Sequence, residues 1–522
     1  MAFAFNRDLF ITRLTEKTAW DIIVIGGGAT GLGVAVDAAS RGYSILLLEQ
    51  ADFAKGTSSR STKLVHGGVR YLAQGNIKLV YEALHERGIL LNNAAHLVKK
   101  QHFIIPCYTH WSVLKYLTGL TLYDWLSGRH SFGKSKYLNK EKVTALLPGI
   151  NTKELVGGVQ YYDGQFDDAR LAINLAQTSA EKGGVLLNYF KVKSLLKQHN
   201  KVAGVVAVDT ESKKEYQLTA KVVINATGVF VDDILQMDIP EKKPMVKPSQ
   251  GIHLVLNKSF LNSESAVMIP KTSDGRVLFA IPWHEHVLIG TTDTPLHENS
   301  LEPHALEQEI NFILDNVKQY WATAPQRKDV LSVFAGLRPL AAPQKETGNT
   351  KEISRDHKLM VSDSGLITIT GGKWTTYRKM AEDTVDRAVV VGQLSSVVST
   401  TKKEAVHGNA QLSGDDHLNV YGTDAGKIKA LMADNPSLSK KLVEQLPNTE
   451  AEVIWAVRYE MARTVEDVLA RRMRILFLDA VAAIKAAPRV AELMAQELKY
   501  SAAWEQEQVA AFSGVAKGYL LS

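Results

Sequence analysis

Residues 21–50, DIIVIGGGATGLGVAVDAASRGYSILLLEQ, decide the fold. Ile22 to Ile25 is the continuous apolar run that a parallel strand buried on both faces requires. Gly26, Gly28 and Gly31 follow at the spacing G-x-G-x-x-G. The first permits the turn, the second lets backbone approach a pyrophosphate, and the third lets a helix pack close on the strand. That helix, with Ala29 and Thr30 in its first turn, offers unpaired N–H groups and the positive end of its dipole to an anion. Its small residues Ala35, Ala38 and Ala39 suit close packing, and Gly42 is placed to end it. The next strand, Ile45 to Leu48, delivers Glu49, 18 residues past Gly31, near where an acid holds ribose hydroxyls. This is a complete crossover unit for a dinucleotide, and it leaves NAD and FAD equally open.

The continuation separates the two. Where an NAD fold would show another plain crossover helix, Thr57 to Leu72 reads TSSRSTKLVHGGVRYL. Ser58, Ser59 and Ser61 suit the diphosphate and ribityl chain of an extended FAD. Two more strands run into glycine-bearing turns, NATGVFVDD from Asn225 and TGGKWTTYRKMAED from Thr370. The last would set N–H groups and a helix dipole against the negative charge of a reduced flavin. Three such turns are hard to explain with one pyrophosphate and easy with a long FAD. Between them run shorter alternating strands, IHLVL and VLFAIPW. The expected fold class is therefore α/β. A Rossmann-like FAD-binding domain is built from discontinuous segments (17–95, 150–235 and 350–392), with an inserted antiparallel-sheet substrate domain (96–149 and 236–349). After a Ser/Thr/Lys-rich stretch beginning at Gln393, the helical pattern over 406–522 reads as a separate all-helical C-terminal domain.

Composition excludes other classes. The chain of 522 residues, 45% hydrophobic and 22% charged, can bury a core and is not disordered. Cys107 is the single cysteine, which rules out an intramolecular disulfide, a four-cysteine zinc site and a cysteine-ligated iron–sulfur cluster. No metal site is expected. Arg7, Asp8, Arg13, Glu16 and Lys17 come too early for a signal peptide, and no apolar run reaches the ~20 residues that span a bilayer. The expectation is a cytoplasmic protein with any membrane contact peripheral. The net charge of +6 is concentrated: between Leu97 and Lys142, eight basic residues face two acidic ones. That segment also carries Trp111, Tyr116, Tyr123, Trp125 and Tyr137. Basic residues among aromatics suit a membrane interface, with HWSVLKYLTGLTLYDWL as an amphipathic helix. A solvated surface is the plain alternative, and nucleic acid is disfavoured. A second basic cluster, Arg463, Arg471, Arg472 and Arg474, is a further candidate for lipid or for a dimer contact.

The motifs GGGATGLG, TSSRSTKLVHGGVRYL, DDARL, NATG, IPW…IGTTD, GLRPL, SRDH and GGKWTTYRK, in this order, resemble the FAD-dependent glycerol-3-phosphate dehydrogenases of the D-amino-acid-oxidase-like superfamily. The likeness covers roughly residues 15–385, and VRYEMARTVEDVLARRMR resembles that family's C-terminal domain. The cysteine-rich cluster domain of the anaerobic enzyme is excluded by the single cysteine. The resemblance implies FAD, and since no cysteine or other residue announces a covalent flavin link, the cofactor is expected to be held non-covalently. Besides the first turn, Glu49 and the three serines, it implies contacts from Lys63, Gly67, Gly68, Ala226, Thr227, Gly228, Gly371, Gly372, Lys373, Thr375 and Thr376. It implies sn-glycerol 3-phosphate as substrate, with Arg338, Arg355 and Arg70 offering guanidinium forks to the phosphate and Tyr71 a neutral donor. Oxidising a secondary alcohol needs a base for the hydroxyl proton. His253 in SQGIHLVL is the first candidate and His66 in HGG the second, with Lys373 orienting substrate oxygens or balancing the reduced flavin. The implied acceptor is a membrane quinone, met from a peripheral seat on the inner face of the cytoplasmic membrane. Three alternatives stay open: an oxidase giving hydrogen peroxide, an amine-oxidising relative, and an FAD- or RNA-binding protein without catalysis. The sequence does not set the oligomeric state, a homodimer included.

Overall fold

The computed structural model describes residues 5–73, 75–341 and 357–521. The apolar run at the N-terminus becomes the strand Ala19–Ile25, central in a sheet whose order is Lys358–Val361, Ile367–Thr370, Glu215–Asn225, Ala19–Ile25, Ile45–Leu48, Val185–Leu187. Ile22 pairs in parallel with Ile45 on one side and Val222 on the other, and Ile25 with Leu48 and Asn225. Strand Ile367–Thr370 also runs parallel to Glu215–Asn225. The strands preceding the three glycine-bearing turns are thus sheet neighbours, and all three turns leave the same carboxyl edge. The helix Ala29–Ser40 is buried along most of its length, which its alanines and glycines allow. It packs between the helices Asp168–Glu181 and Tyr377–Val391. A hairpin, Phe190–Gln198 with Lys201–Asp209, extends the sheet antiparallel to Glu215–Asn225.

A second, largely antiparallel sheet runs Thr294–Pro295, Val246–Asn257, His286–Gly290, Leu278–Trp283, Ala266–Ile269, Val98–Cys107, Gly157–Phe166, Leu64–Val65. Val330–Ala341 pairs along the whole of Val246–Asn257. Two of its strands, Leu64–Val65 and Gly157–Phe166, fall inside ranges assigned above to the cofactor domain. The chain passes between the layers more often than boundaries at 95 and 150 imply, because the serine-rich segment leads straight into the second sheet.

The helices Glu450–Tyr459, Ala480–Leu498 and Ala502–Lys517 build a core around Val453, Leu476 and Val490 that also takes Val255, Trp283, Leu288 and Phe334 from the second sheet. The helical region therefore shares a core with the substrate sheet. Its arginines do not form a surface cluster. Arg471, Arg472 and Arg474 are buried, reaching Asp52 at 2.5 Å, Asp52 at 2.5 Å and Asp168 at 3.0 Å respectively. The readings of these three as a lipid or dimer contact are corrected accordingly, since buried charges need nearby acids and not a partner surface. Among the described residues, no helix is long and apolar enough to cross a membrane.

Candidate active site

A cavity of about 1130 Å³ opens at the carboxyl edge of the parallel sheet and runs under the second sheet. Gly26, Gly28, Ala29 and Thr30 from the first turn, Ala226, Thr227 and Gly228 from the second, and Gly371, Gly372, Lys373 and Thr375 from the third all line it. Gly26 holds φ +109°, and a side chain there would sit 2.7 Å from the Ala226 carbonyl oxygen, so the first two turns touch through backbone. A side chain at Gly31 would collide with the Gly26 carbonyl, which is the close helix–strand approach expected of the third glycine. Gly28, at the start of the helix, has no side chain of its own to cap it. Its first turn is presented to the cavity, with the Ser58 hydroxyl accepting the Ala29 N–H at 2.9 Å. Glu49 accepts the N–H groups of Gly27 at 2.6 Å and Ala51 at 2.9 Å, and burial pushes its carboxyl pKa up. Three helix starts, a rim of hydroxyls and an acid at the second strand end form a donor set that fits a dinucleotide with an extended tail.

The serine-rich segment divides between two tasks. Ser58 and Ser61 line the cavity, but Ser59, Lys63 and Gly67 do not. Lys63 is fully buried, its ammonium 2.7 Å from the Ser59 carbonyl and 2.7 Å from Asp168, and burial lowers its pKa to about 7 against the pull of that carboxylate. Ser61 donates to the same Asp168 oxygen from both its N–H and its hydroxyl. Gly67 gives its N–H to the Tyr123 hydroxyl at 2.7 Å. Gly31 and Thr376 also lie behind the wall, Thr376 donating to the Lys373 carbonyl at 3.2 Å. These residues shape the loop that carries the cavity-facing serines. Asp168 was the missed member. It lies in DDARL, 105 residues from Lys63, and only a reason to pair a buried lysine would have singled it out.

Of the expected substrate and catalytic residues, those described converge at the far end. His253 and Arg338 sit on the paired strands Val246–Asn257 and Val330–Ala341, in register with Phe334 and Ser249 respectively. That spacing of four keeps both side chains on one face. A side chain at Gly251 would strike the Arg338 guanidinium, so the arginine lies across that glycine. It donates to the Thr291 hydroxyl at 3.0 Å and stands 3.6 Å from Asp293. The Lys373 ammonium lies 3.9 Å from the centroid of the Tyr71 ring, and His66 gives its backbone N–H to the Thr375 hydroxyl at 3.1 Å. His66, Tyr71, His253, Arg338 and Lys373 all line the cavity. Burial, with the positive charges of Lys63 and Arg338, holds the His253 pKa well below the ordinary histidine range. Arg70 lies in the helix Val69–Ala73, and its side chain is outside the described structure, as is all of Arg355.

The helix His110–Ser127 forms another wall, contributing Tyr116, Gly119, Leu120 and Leu122. Only Leu120, Tyr123 and Ser127 of this helix are buried. The outward side carries Trp111, Leu114, Thr118, Leu122 and Trp125 in one stripe, with Trp111 72% and Trp125 76% exposed. The helix is apolar on two faces and not amphipathic in the simple sense expected.

Comparison with known proteins agrees with this geometry. Residues 21–378 match the family described as FAD dependent oxidoreductase, and residues 367–505 match the C-terminal domain of alpha-glycerophosphate oxidase. The mitochondrial glycerol-3-phosphate dehydrogenase of Rattus norvegicus is 39% identical over 97% of this chain and 74% of its own length. That of Schizosaccharomyces pombe is 37% identical over 99% and 89%. The crystal structure of glycerol-3-phosphate dehydrogenase from Bacillus halodurans complexed with FAD superposes with a TM-score of 0.80, at 30% identity, over 99% of this chain and 98% of that one.

Proposed function

This chain belongs to the FAD-dependent glycerol-3-phosphate dehydrogenases, and on that premise we propose that it oxidises sn-glycerol 3-phosphate to dihydroxyacetone phosphate. FAD is held non-covalently, and the electrons pass to a membrane quinone while the protein rests peripherally on the inner face of the cytoplasmic membrane. One observation carries the reading: the dinucleotide turns and the side chains of Arg338, Lys373, Tyr71 and His253 line a single continuous space.

A phosphomonoester calls for fixed positive charge, and Arg338 supplies a fork oriented by Thr291 and Asp293. Arg355 and Arg70 join it by their places in the family motifs. Lys373, over the Tyr71 ring, serves the substrate oxygens. FAD, held by the three glycine-bearing turns, would supply the two-electron acceptor for the alcohol. The glycine turn at Gly371 and the helix Tyr377–Val391 behind it bring N–H groups and a positive dipole end to balance the charge that results. His253 accepts the hydroxyl proton, which it can do only when neutral, and its burial keeps it so. The single thiol, Cys107, is buried and does not line the cavity, consistent with a non-covalent cofactor.

The remaining walls support a quinone as the acceptor. Phe103, Tyr161, Met268 and Phe279 join Tyr116, Leu120 and Leu122 in an apolar stretch of the same cavity. The helix that closes it bears the exposed tryptophans. An apolar acceptor arriving from a bilayer needs such a route, whereas oxygen does not. The test is anaerobic addition of sn-glycerol 3-phosphate to the purified flavoprotein. Bleaching of the flavin band near ~450 nm is the expected result. Reoxidation by a soluble quinone, far faster than by oxygen, supports the dehydrogenase; the reverse order makes the protein an oxidase. A band that stays oxidised overturns the substrate.

A further inference from the structure

The imidazole proposed above as base is almost closed off. His253 is 2% exposed, with the Phe334 ring stacked on one face at a centroid distance of 5.0 Å and 21° between planes. Its Cδ2 edge lies against Gly290, where no side chain fits. Its Nδ1 is buried and has no hydrogen-bond partner among the described residues. Its Nε2 is 2.9 Å from the Thr62 hydroxyl. Thr62 is half-buried and lines the cavity. A substrate hydroxyl in that space meets threonine oxygen before it meets imidazole nitrogen.

Thr62 is also held firmly. Its neighbours Ser61 and Lys63 both bond to one oxygen of Asp168. The other Asp168 oxygen receives Arg474 of the C-terminal helices at 3.0 Å, and Arg474 also reaches the Ser59 carbonyl at 2.8 Å. Lys63 further lies 5.2 Å from the centroid of the same Phe334 ring that covers His253. A hydroxyl fixed on both flanks and pointed at an imidazole costs little reorganisation when a proton moves along it.

We propose that Thr62 is a catalytic residue, relaying the substrate proton to His253. The substrate hydroxyl gives its proton to Thr62 Oγ1 as the threonine proton passes to His253 Nε2. Threonine ends unchanged and His253 becomes an imidazolium. The electron pair left on the substrate oxygen forms the second C–O bond as the C2 hydride departs to the acceptor. The proposal rests on the reading of His253 as base, and the experiment separates the two.

Flavin reduction is measured anaerobically by stopped flow in Thr62→Val, Thr62→Ser, His253→Ala and the Thr62→Val/His253→Ala double variant. Retained flavin absorbance reports folding. Thr62→Val and His253→Ala should each slow reduction by about 100-fold, Thr62→Ser should restore it to within about fivefold, and the double variant should lose little more than either single one. In the substrate-free protein, the ¹⁵N NMR signals of the His253 ring should shift on Thr62→Val. A Thr62→Val rate within about twofold of the parent, beside a slow His253→Ala, sinks the relay and leaves the base standing. Losses that multiply in the double variant also sink it. An unaffected His253→Ala removes the base and the relay together.

Discussion

Segments 97–142 and 463–474 are both rich in basic residues and look alike on composition, yet the fold treats them in opposite ways. In the first, Lys100, Lys115, Arg129, Lys134, Lys136, Lys140 and Lys142 stay exposed beside Trp111 and Trp125. In the second, Arg471, Arg472 and Arg474 are inside, while Arg463 pairs with Glu211 at 2.7 Å. The acids that decide this, Asp52 and Asp168, lie 420 and 306 residues from their arginine partners in the chain. Charge read along a sequence marks what must be neutralised or solvated. It does not say which.

The largest effect should come from breaking a buried pair. Arg472→Met leaves Asp52 short of a partner in the interior and should cost about 3–5 kcal/mol, read as a lowered urea midpoint. A loss under about 1 kcal/mol, the range of exposed pairs, would make the two segments equivalent after all.

Next, Trp111→Asp with Trp125→Asp should cut co-sedimentation with liposomes by tenfold or more, at roughly 2 kcal/mol of lost apolar insertion, with the fold and the reduction of a soluble quinone intact. Unchanged sedimentation would clear this helix of membrane contact.

Salt sharpens the contrast further. Raising ionic strength to about 0.5 M should release the protein from anionic vesicles, because exposed lysines are screened, while the melting temperature moves by only a few degrees. A melting point that falls with the vesicle binding would mean that the arginine seam is as solvated as the surface.

The smallest effect concerns another seam of the helical region. Burial works against a charged His407, but Asp424 at 2.7 Å and Glu181 at 2.6 Å outweigh it and lift the imidazole to about 9. A pKa raised in the folded state gives stability that is complete below the unfolded value near 6.5 and lost as pH rises through 9. The melting temperature should therefore decline between those pH values and lose that component of its slope in His407→Gln. An unaltered slope would exclude His407 as its source.

The cofactor half of the site was legible because each signal is local. Gly26, Gly28, Gly31 and Glu49 are spaced by the geometry of one strand–helix–strand unit, and the turns at Ala226 and Gly371 follow strands whose apolar runs are continuous. His253 and Arg338 could be named only through the resemblance, since one alternating strand does not reveal its neighbour. Val185–Leu187 and the helix Asp168–Glu181 carry no turn motif; the strand's place follows from pairing with Ile45–Leu48 and the helix's from packing on Ala29–Ser40. The contacts of Lys63 and Ser59 are hidden for the same reason: lysine and serine after a nucleotide strand look like phosphate ligands, and their partners Asp168 and Arg474 arrive from elsewhere.

The sequence by itself determined the parallel sheet, its three glycine-bearing turns, the need for FAD and the exclusion of an intramolecular disulfide by the single cysteine. Those properties depend on backbone conformation and on residues a few positions apart. Tertiary structure decided which arginines are buried, which serines face the cavity, how Thr62 stands against His253, and that the helix bearing the exposed tryptophans also walls the cavity. Those are contacts between residues tens to hundreds of positions apart, and neither hydrophobic period nor local charge encodes a partner at that distance.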